Sequence, residues 1–523
     1  MAKFFYNYGC VVQIVLRCGI AFSTAFRCRI RNFGTIVLIL LSFGVFFSSP
    51  FLQTSYAAET GSLTPFEFGA VGNGIADDTA SLQKALDAAV GKKLVLEGTF
   101  LCKTDGLKIP SGTTLIGRGK ARIVRGFDTG KSGSRVLASA VPAGGEKTIH
   151  DIHIANITFD GNGAKFGKHP FDLLFMSTLP TRNITIRSCV FRDVVGYHAI
   201  DVNRCDNVRI VGCRFEGWKN FNPASSEWAN DKREAIQLDG FKVEDAANRN
   251  KNILVENCWF GRSENFGPWP VAVGNHGWFD SAETCKNITI RNNVFDSLTY
   301  YPVTCLAWHN VLIENNVFKN CANGVSVFAR NNSKNGVFAV PKKVKIVGNR
   351  FERKSKDSSS TALMVWISSG RDVSSGQLEQ AVPSGVLFSR NTVANFHHGA
   401  SIITGKDINI SGNTFENVDS IELFICRDVR FSNNKMTNSG NVHVNSAYKG
   451  YTSSAAMNSH YEMSGNAFLA PRGNCILFSG TNSHVSVSDN VIHDRKQQHK
   501  VNSLIQIGKD NKNVMLKKNE VRP

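Results

Sequence analysis

No Cys-x-x-Cys pair occurs among the 13 cysteines, which argues against a zinc ribbon or a dithiol redox centre. Beyond Phe47 no segment reaches the ~18 apolar residues that a membrane-crossing helix requires. The apolar period through most of the chain is two, so neither a heptad coiled coil nor a leucine-rich repeat fits. The positive charge comes without a recognisable nucleic-acid-binding module. Nor is there a clear exposed apolar stripe of the kind a homotrimeric spike would bury.

What is present is a nine-residue phrase. NITIRSCVF (Asn183–Phe191), NVRIVGCRF (Asn207–Phe215), NITIRNNVF (Asn287–Phe295), NVLIENNVF (Asn310–Phe318) and DINISGNTF (Asp407–Phe415) show it plainly, and weaker copies begin at Asp151, Asn252, Lys343, Gly385, Asp428, His460, His484 and Asn513. Across these 13 copies the second and fourth positions are apolar, with Tyr461 the one aromatic hydroxyl among them. The seventh is Asn in nine copies and Cys in three, and the ninth is Phe in nine. Starts lie 21 to 45 residues apart, a floor near 22 with variable excess. That is one structural unit with insertions at a tolerant loop.

Alternating apolar residues mark a short strand with one buried face. About 22 residues are too few for a strand–helix–strand unit, and such a strand cannot bury its face alone. Winding each repeat into one coil solves this. The expected fold is all-β, a single-stranded parallel β-helix of about 13 coils, roughly 60 Å long at ~4.8 Å per rung. The seventh-position asparagines would form an internal ladder, each amide satisfying backbone groups of its own and neighbouring coils. Cys189, Cys213 and Cys258 hold that position in three consecutive coils and are expected as buried free thiols.

The first 57 residues carry basic residues, an apolar run from Thr35 to Phe47 and a Ser55-Tyr56-Ala57 site. They read as an export signal cleaved after Ala57, with an uncleaved membrane anchor as the alternative. A secreted, periplasmic or cell-surface location is expected. The formal charge is +18, of which five leader cations account for 5, leaving 18 − 5 = +13 on residues 58–523. A basic exported solenoid suits an acidic polysaccharide or an anionic surface better than nucleic acid. Residues 58–125 read as an N-terminal cap and first coils, and 126–523 as the β-helix. In the cap, Asp77-Asp78-Thr79 would start an amphipathic helix carrying Leu82, Ala85 and Leu86, which closes the open strand edges.

The phrase FGAVGNGIADDTASLQKAL in this cap, with the coils that follow, resembles the entry motif of the pectate-lyase-like superfamily. The resemblance implies a right-handed parallel β-helix and a carbohydrate-active protein, in a group that includes polysaccharide lyases, glycoside hydrolases, epimerases and phage tailspikes. It assigns Asp77-Asp78 to the capping motif and not to catalysis, and it does not choose a reaction.

Inward positions of a coil are structural, so chemistry must come from outward side chains and inserts. Three strands align before successive copies: HAIDVNR (His198–Arg204), EAIQLDG (Glu234–Gly240) and PVAVGNH (Pro270–His276). This alignment turns Ile200, Ile236, Val202 and Leu238 inward. It turns Asp201, Asn203, Gln237 and Asp239 outward, with Asn275 in register with Asp239 and Asn203. Asp201 and Asp239 would stand one rung up and two residues along, their backbones roughly 8 Å apart. That suits an inverting glycosidase with one acid and one base. The expected catalytic set is Asp239, Asp201, Glu234 and His276. His198, Asn203, Arg204, Arg233, Gln237, Asn275, Trp278, Trp308 and His309 are expected to bind substrate. His309 and Arg330 would extend the same face. Trp218, Trp228, Trp259, Trp269, Trp278, Tyr300, Tyr301 and Trp308 could serve as sugar platforms or simply pack down the long inserts.

The polygalacturonase set (an NTD tripeptide, a DD pair, GHG and RIK) is missing, and Gly274–Gly277 only partly echoes GHG. The DPHD and WxDH signatures of alginate epimerases and pectate lyases are missing too. No cofactor is required by any motif. Ca2+ at the carboxylate cluster is conceivable without a ligand loop to support it. The expected activity is hydrolysis of an acidic polysaccharide. The alternatives are β-elimination on a uronate glycan, for which Arg233, Arg204 and Tyr300 would be recruited, and a non-catalytic polysaccharide-binding or exopolysaccharide-assembly protein. Sequence leaves the sugar and the oligomeric state open.

Overall fold

The computed structural model describes residues 61–523 apart from 177, 225–231, 240–248, 276–282, 333–336, 368–373, 375–376, 452–456 and 495–499. The leader at 1–57 lies outside the described residues.

The first and sixth positions of the nine-residue phrase decide the path of the chain. In all 13 copies both have positive φ, for example Asn183 at 58° with Ser188 at 52°, and Asn207 at 58° with Gly212 at 64°. A left-handed residue costs ~1–2 kcal/mol for most side chains and little for Asn, Asp or Gly. This explains why those types fill most first and sixth positions. Lys343, Arg390 and Lys518 take the same conformation without that advantage.

Each coil therefore turns at fixed points and gives three strands. In one coil these are Thr181–Arg187, Val190–Val195 and Ile200–Val202. The first two types join a 30-stranded sheet and the third a 15-stranded sheet among the described residues. Pairing between coils is parallel and in register: Ile184 lies over Val208 and Ile186 over Ile210, then Val208 over Ile253 and Ile210 over Val255. All of these are buried, as the alternation demands. Two further strands, Lys93–Cys102 and Thr114–Arg125, precede the first copy in the same sheet and pair in parallel.

The asparagine ladder is continuous. Asn316 accepts at Oδ1 from the backbone N–H of Asn293 (2.9 Å), and its Nδ2 donates to Ile290 O (2.9 Å) and to Asn349 Oδ1 (3.0 Å). The same set repeats through Asn349, Asn391, Asn413, Asn434, Asn466 and Asn490. The cysteine column joins its lower end, because Cys258 N donates to Asn293 Oδ1 at 2.8 Å and Cys213 N to Cys258 Sγ at 3.4 Å. The ten described cysteines are free and buried. Burial pushes the Cys102 and Cys321 thiols up to about 12, so they stay protonated and inert. Beside the ladder the ninth-position rings stack, with centroids of Phe159, Phe191 and Phe215 5.2 Å apart at each step.

The N-terminal helix, α1, spans Thr79–Ala88 and buries Leu82, Ala85 and Leu86 on the end of the core. Asp78 occupies its N-cap position, but the side chain does not cap the helix. Its carboxylate instead accepts from Val71 N (2.6 Å) and Gly72 N (3.1 Å), pinning the Gly-rich turn to the helix start. No helix among the described residues is long and apolar enough to cross a membrane.

Replacing Asn391 with Ala removes four hydrogen bonds at once and strands the buried groups of the coil below. Urea unfolding should show a loss of about 2–4 kcal/mol. A change within error would mean the ladder is passive filler.

Candidate functional site

The 15-stranded sheet carries the outward residues singled out above. Asp201 stands over Phe175 on one side and Gln237 on the other, with Ile200 over Ile236, as the alignment of HAIDVNR with EAIQLDG requires. The next rung is shifted by one residue relative to that alignment: Ile236 pairs with Val273 and Gln237 with Gly274. The physical reason is the interior. The shift sets the branched Val271 and Val273, in place of Ala272 and Gly274, on the side of the strand that faces the core with Ile236. Asn275 consequently falls opposite Leu238 and leaves the row of Asp239. It is buried, donates from Nδ2 to Leu306 O (3.0 Å) and Thr284 Oγ1 (3.3 Å), and accepts at Oδ1 from Leu306 N (3.2 Å). Asn275 braces the next coil.

Asp201 and Asp239 do share the outward side of adjacent rungs, diagonal to one another. Each is held by an amide two residues away on its own strand: Asn203 Nδ2 donates to Asp201 Oδ1 and Gln237 Nε2 to Asp239 Oδ2, both at 2.7 Å. All four side chains are less than a tenth exposed. Carboxylates held in such an environment interact far more strongly with one another and with a ligand than surface carboxylates do.

A second column runs along the entry edge of the same sheet. One oxygen of Asp172 accepts from the His198 backbone N–H (3.2 Å) and faces the ring Nδ1 at 2.9 Å. On the other side, His198 Nε2 lies 3.8 Å from Glu234 Oε2. Asp172, His198 and Glu234 are all buried. Asp172 was not among the expected residues because HPFDLLF shows only an apolar strand. Extending the strand alignment back one coil, where Leu174 pairs with Ile200, would have set Asp172 beside His198. Tyr197 stacks on His198 (5.8 Å, 11°), and the Arg233 guanidinium lies over Tyr197 at 5.4 Å. Arg204 forms the left-handed corner that leaves this sheet, with φ 56°.

Other expected ligands lie elsewhere. Trp308 is fully buried, opposite Cys285 in the 30-stranded sheet, and belongs to the core. His309 follows it on that wall, with Nδ1 2.8 Å from Glu283 Oε2 and Nε2 2.9 Å from Val340 O. Neither extends the patch, because the strand they open belongs to the other sheet. Trp269 is also core. His276 and Trp278 lie outside the described residues.

The same outward row continues into the C-terminal coils, through Thr304, Ser326, Met364, Ser401, Glu422 and His443. That stretch holds a second polar group. Ser401 Oγ donates to Glu422 Oε2 at 2.8 Å, and His398 Nδ1 lies 3.7 Å from the same oxygen. Beside it Asp419 takes Lys356, His397 Nδ1 (2.8 Å) and Arg472 Nη2 (3.0 Å), three cations or donors from separate segments. Trp366, half-buried, stacks on Phe328 and donates from Nε1 to Ser326 Oγ at 3.1 Å.

Residues 148–351, which include Asp172, His198, Asp201, Glu234 and Asp239, match the family model described as right-handed beta helix region. The molecule is a right-handed parallel β-helix protein. Plasmin and fibronectin-binding protein A of Streptococcus pneumoniae (strain ATCC BAA-255 / R6) is 29% identical over 297 residues, which is 52% of this chain and 41% of that protein. A depolymerase of Klebsiella phage K5-2, described as specific for capsule K30/K69, is 32% identical over 107 residues, 20% of this chain and 13% of its own. This β-helix chain thus spans less than half the length of these relatives. Among solved structures, the Streptococcus pneumoniae surface adhesin PfbA superposes with a TM-score of 0.52 at 19% identity, covering 88% of this chain and 91% of the adhesin. At that identity the likeness concerns the fold.

Burial pushes the Asp419 carboxyl of the β-helix up, but Lys356, His397 and Arg472 outweigh it and bring the group down to about 2. A depressed carboxyl stabilises the fold above the ordinary carboxylate range near 3.9, and that contribution is lost as pH falls toward 2. Acid titration of the melting temperature should therefore be shallower between about pH 4 and pH 2 in Asp419→Asn than in the parent. Parallel curves would remove the ion cluster from the account.

Proposed function

We propose that this face binds a polysaccharide and hydrolyses it, with Asp239 and Asp201 as the acid and base. The observation that carries this reading is their diagonal placement on adjacent rungs, each bonded by its own-strand amide. Backbones roughly 8 Å apart leave side chains within reach of the 6.5–9.5 Å that about one intervening water needs in inverting hydrolysis. Gln237 and Asn203 would orient the pair and keep each carboxylate from swinging toward the other. Glu234 stands ready to replace either, and His198, held by Asp172, would carry protons at the edge. Arg233 and Arg204 supply positive charge for an acidic sugar, consistent with the +13 of residues 58–523, obtained as 18 − 5. His276 is retained as a supporting residue. The capsule-directed name of the phage relative favours a polysaccharide substrate, and an exported or cell-surface setting fits such a substrate.

A second reading is binding without turnover. It is favoured by the streptococcal relative, which is named for binding plasmin and fibronectin and whose structure is that of an adhesin. Uronate lysis is the third outcome of the same assay.

The test is incubation of the exported protein with acidic and neutral polysaccharides, following reducing ends and near-ultraviolet absorbance together. Hydrolysis predicts reducing ends without absorbance, and a fall of about 100-fold or more in rate in Asp239→Asn and in Asp201→Asn. Absorbance with reducing ends would assign a lyase. Saturable binding with no products, unchanged in both variants, would assign the adhesin reading.

A further inference from the structure

Asp172, His198 and Asp201 present ligand atoms that all lie within 4.8 Å of one another. The three side chains are 4%, 5% and 7% exposed, on two neighbouring rungs. Two buried amide oxygens flank them. Asn203 spends its NH2 on Asp201, and Gln237, directly across the rung from Asp201, spends its NH2 on Asp239. These bonds fix which way each amide points, since turning either over would set its oxygen against a carboxylate. Among the described residues, Asn203 Oδ1 and Gln237 Oε1 accept no hydrogen bond. Gln237 is followed along its row by Gly274, where even a Cβ would lie 2.0 Å from Thr304 Oγ1.

We propose that Asp172, His198 and Asp201 bind one divalent first-row cation, with Asn203 Oδ1 and Gln237 Oε1 available to complete its shell. The chemistry selects a cation over a sugar hydroxyl or a trapped water. Two carboxylates and an imidazole nitrogen gathered at one point out of solvent, beside two amide oxygens, are the mixed donor set a first-row divalent cation takes. The spacing fits as well. Metal–ligand bonds of ~2.1 Å at right angles set two ligands ~3.0 Å apart, and His198 Nδ1 stands 2.9 Å from Asp172 Oδ1. With Nδ1 on the ion, Nε2–H faces the Glu234 carboxylate at 3.8 Å, the outer partner that ligating imidazoles commonly have. One nitrogen among oxygens favours Mn2+ or Zn2+ over Ca2+ and Mg2+, which take oxygen ligands.

This inference goes beyond the hydrolytic reading and does not rest on it. An ion on Asp201 takes that carboxylate out of the Asp201–Asp239 pair, so added metal would slow hydrolysis by that pair.

The experiment is a Mn2+ titration of the EDTA-stripped full chain by electron paramagnetic resonance, with pulsed detection of 14N coupling and no substrate present. One Mn2+ per chain with a 14N coupling is expected. Asp172→Asn should weaken binding at least about tenfold, and His198→Gln should abolish the coupling. No bound Mn2+ in the parent chain, bound Mn2+ without 14N coupling, or unchanged affinity in both variants would overturn the site. The parent spectrum decides even where a variant fails to fold.

Discussion

A side-chain amide buried at a sharp turn has two donors and two acceptor positions to satisfy, and in a stack of coils the neighbouring coils supply most of the partners. Asn316 does this by accepting from the coil below and donating both to that coil and to the one above. The bond can form only when like residues lie over like. A coil that slipped by one residue would break the amide bonds on both sides and turn its apolar positions outward. The left-handed residues at the first and sixth positions of each phrase serve the same end, because they place the turns at equal intervals.

Function follows from this registration. Residues far apart in sequence, such as Asp172 and His198 or Asp201 and Gln237, meet because their strands are copies of one another. The inserts grow only where the ladders do not run, so chemistry can vary on the 15-stranded sheet while the amide and phenylalanine stacks stay constant. The patch is also drier than outward alternation alone implies. Asp201 and Asp239 face away from the core and are still less than a tenth exposed. Buried carboxylates that do not belong to the core need amides, imidazoles or a ligand to hold them, and the patch supplies the first two.

The coil repeat, the asparagine ladder, the buried thiols and the register of Asp201 with Gln237 were all legible in the sequence, because each rests on strict periodicity. What was not legible rests on local exceptions to it. The one-residue shift that removes Asn275 from the patch comes from the greater bulk of Val271 and Val273, a packing choice that alignment by apolar pattern does not weigh. Trp308 and His309 were misplaced because the strand boundary between the two sheets falls at Ala307, whose left-handed φ of 55° in a non-glycine residue carries no sequence signal. Asp172 was hidden by an apolar strand with no polar neighbour to draw notice. The positive-φ preference of the first phrase position was visible as a run of Asn and Asp but has meaning only once the turn geometry is known.

The central claim is that Asp201 and Gln237 are direct neighbours on the outer side of adjacent rungs. Cysteine cross-linking tests it directly, since the ten described native cysteines are buried. Adjacent rungs place Cα atoms about 4.8 Å apart, inside the range a disulfide spans. Asp201→Cys with Gln237→Cys should oxidise to a disulfide under mild conditions, while Asp201→Cys with the inward Ile236→Cys should not. A bond in the second pair, or none in the first, would contradict the registration on which the site is built.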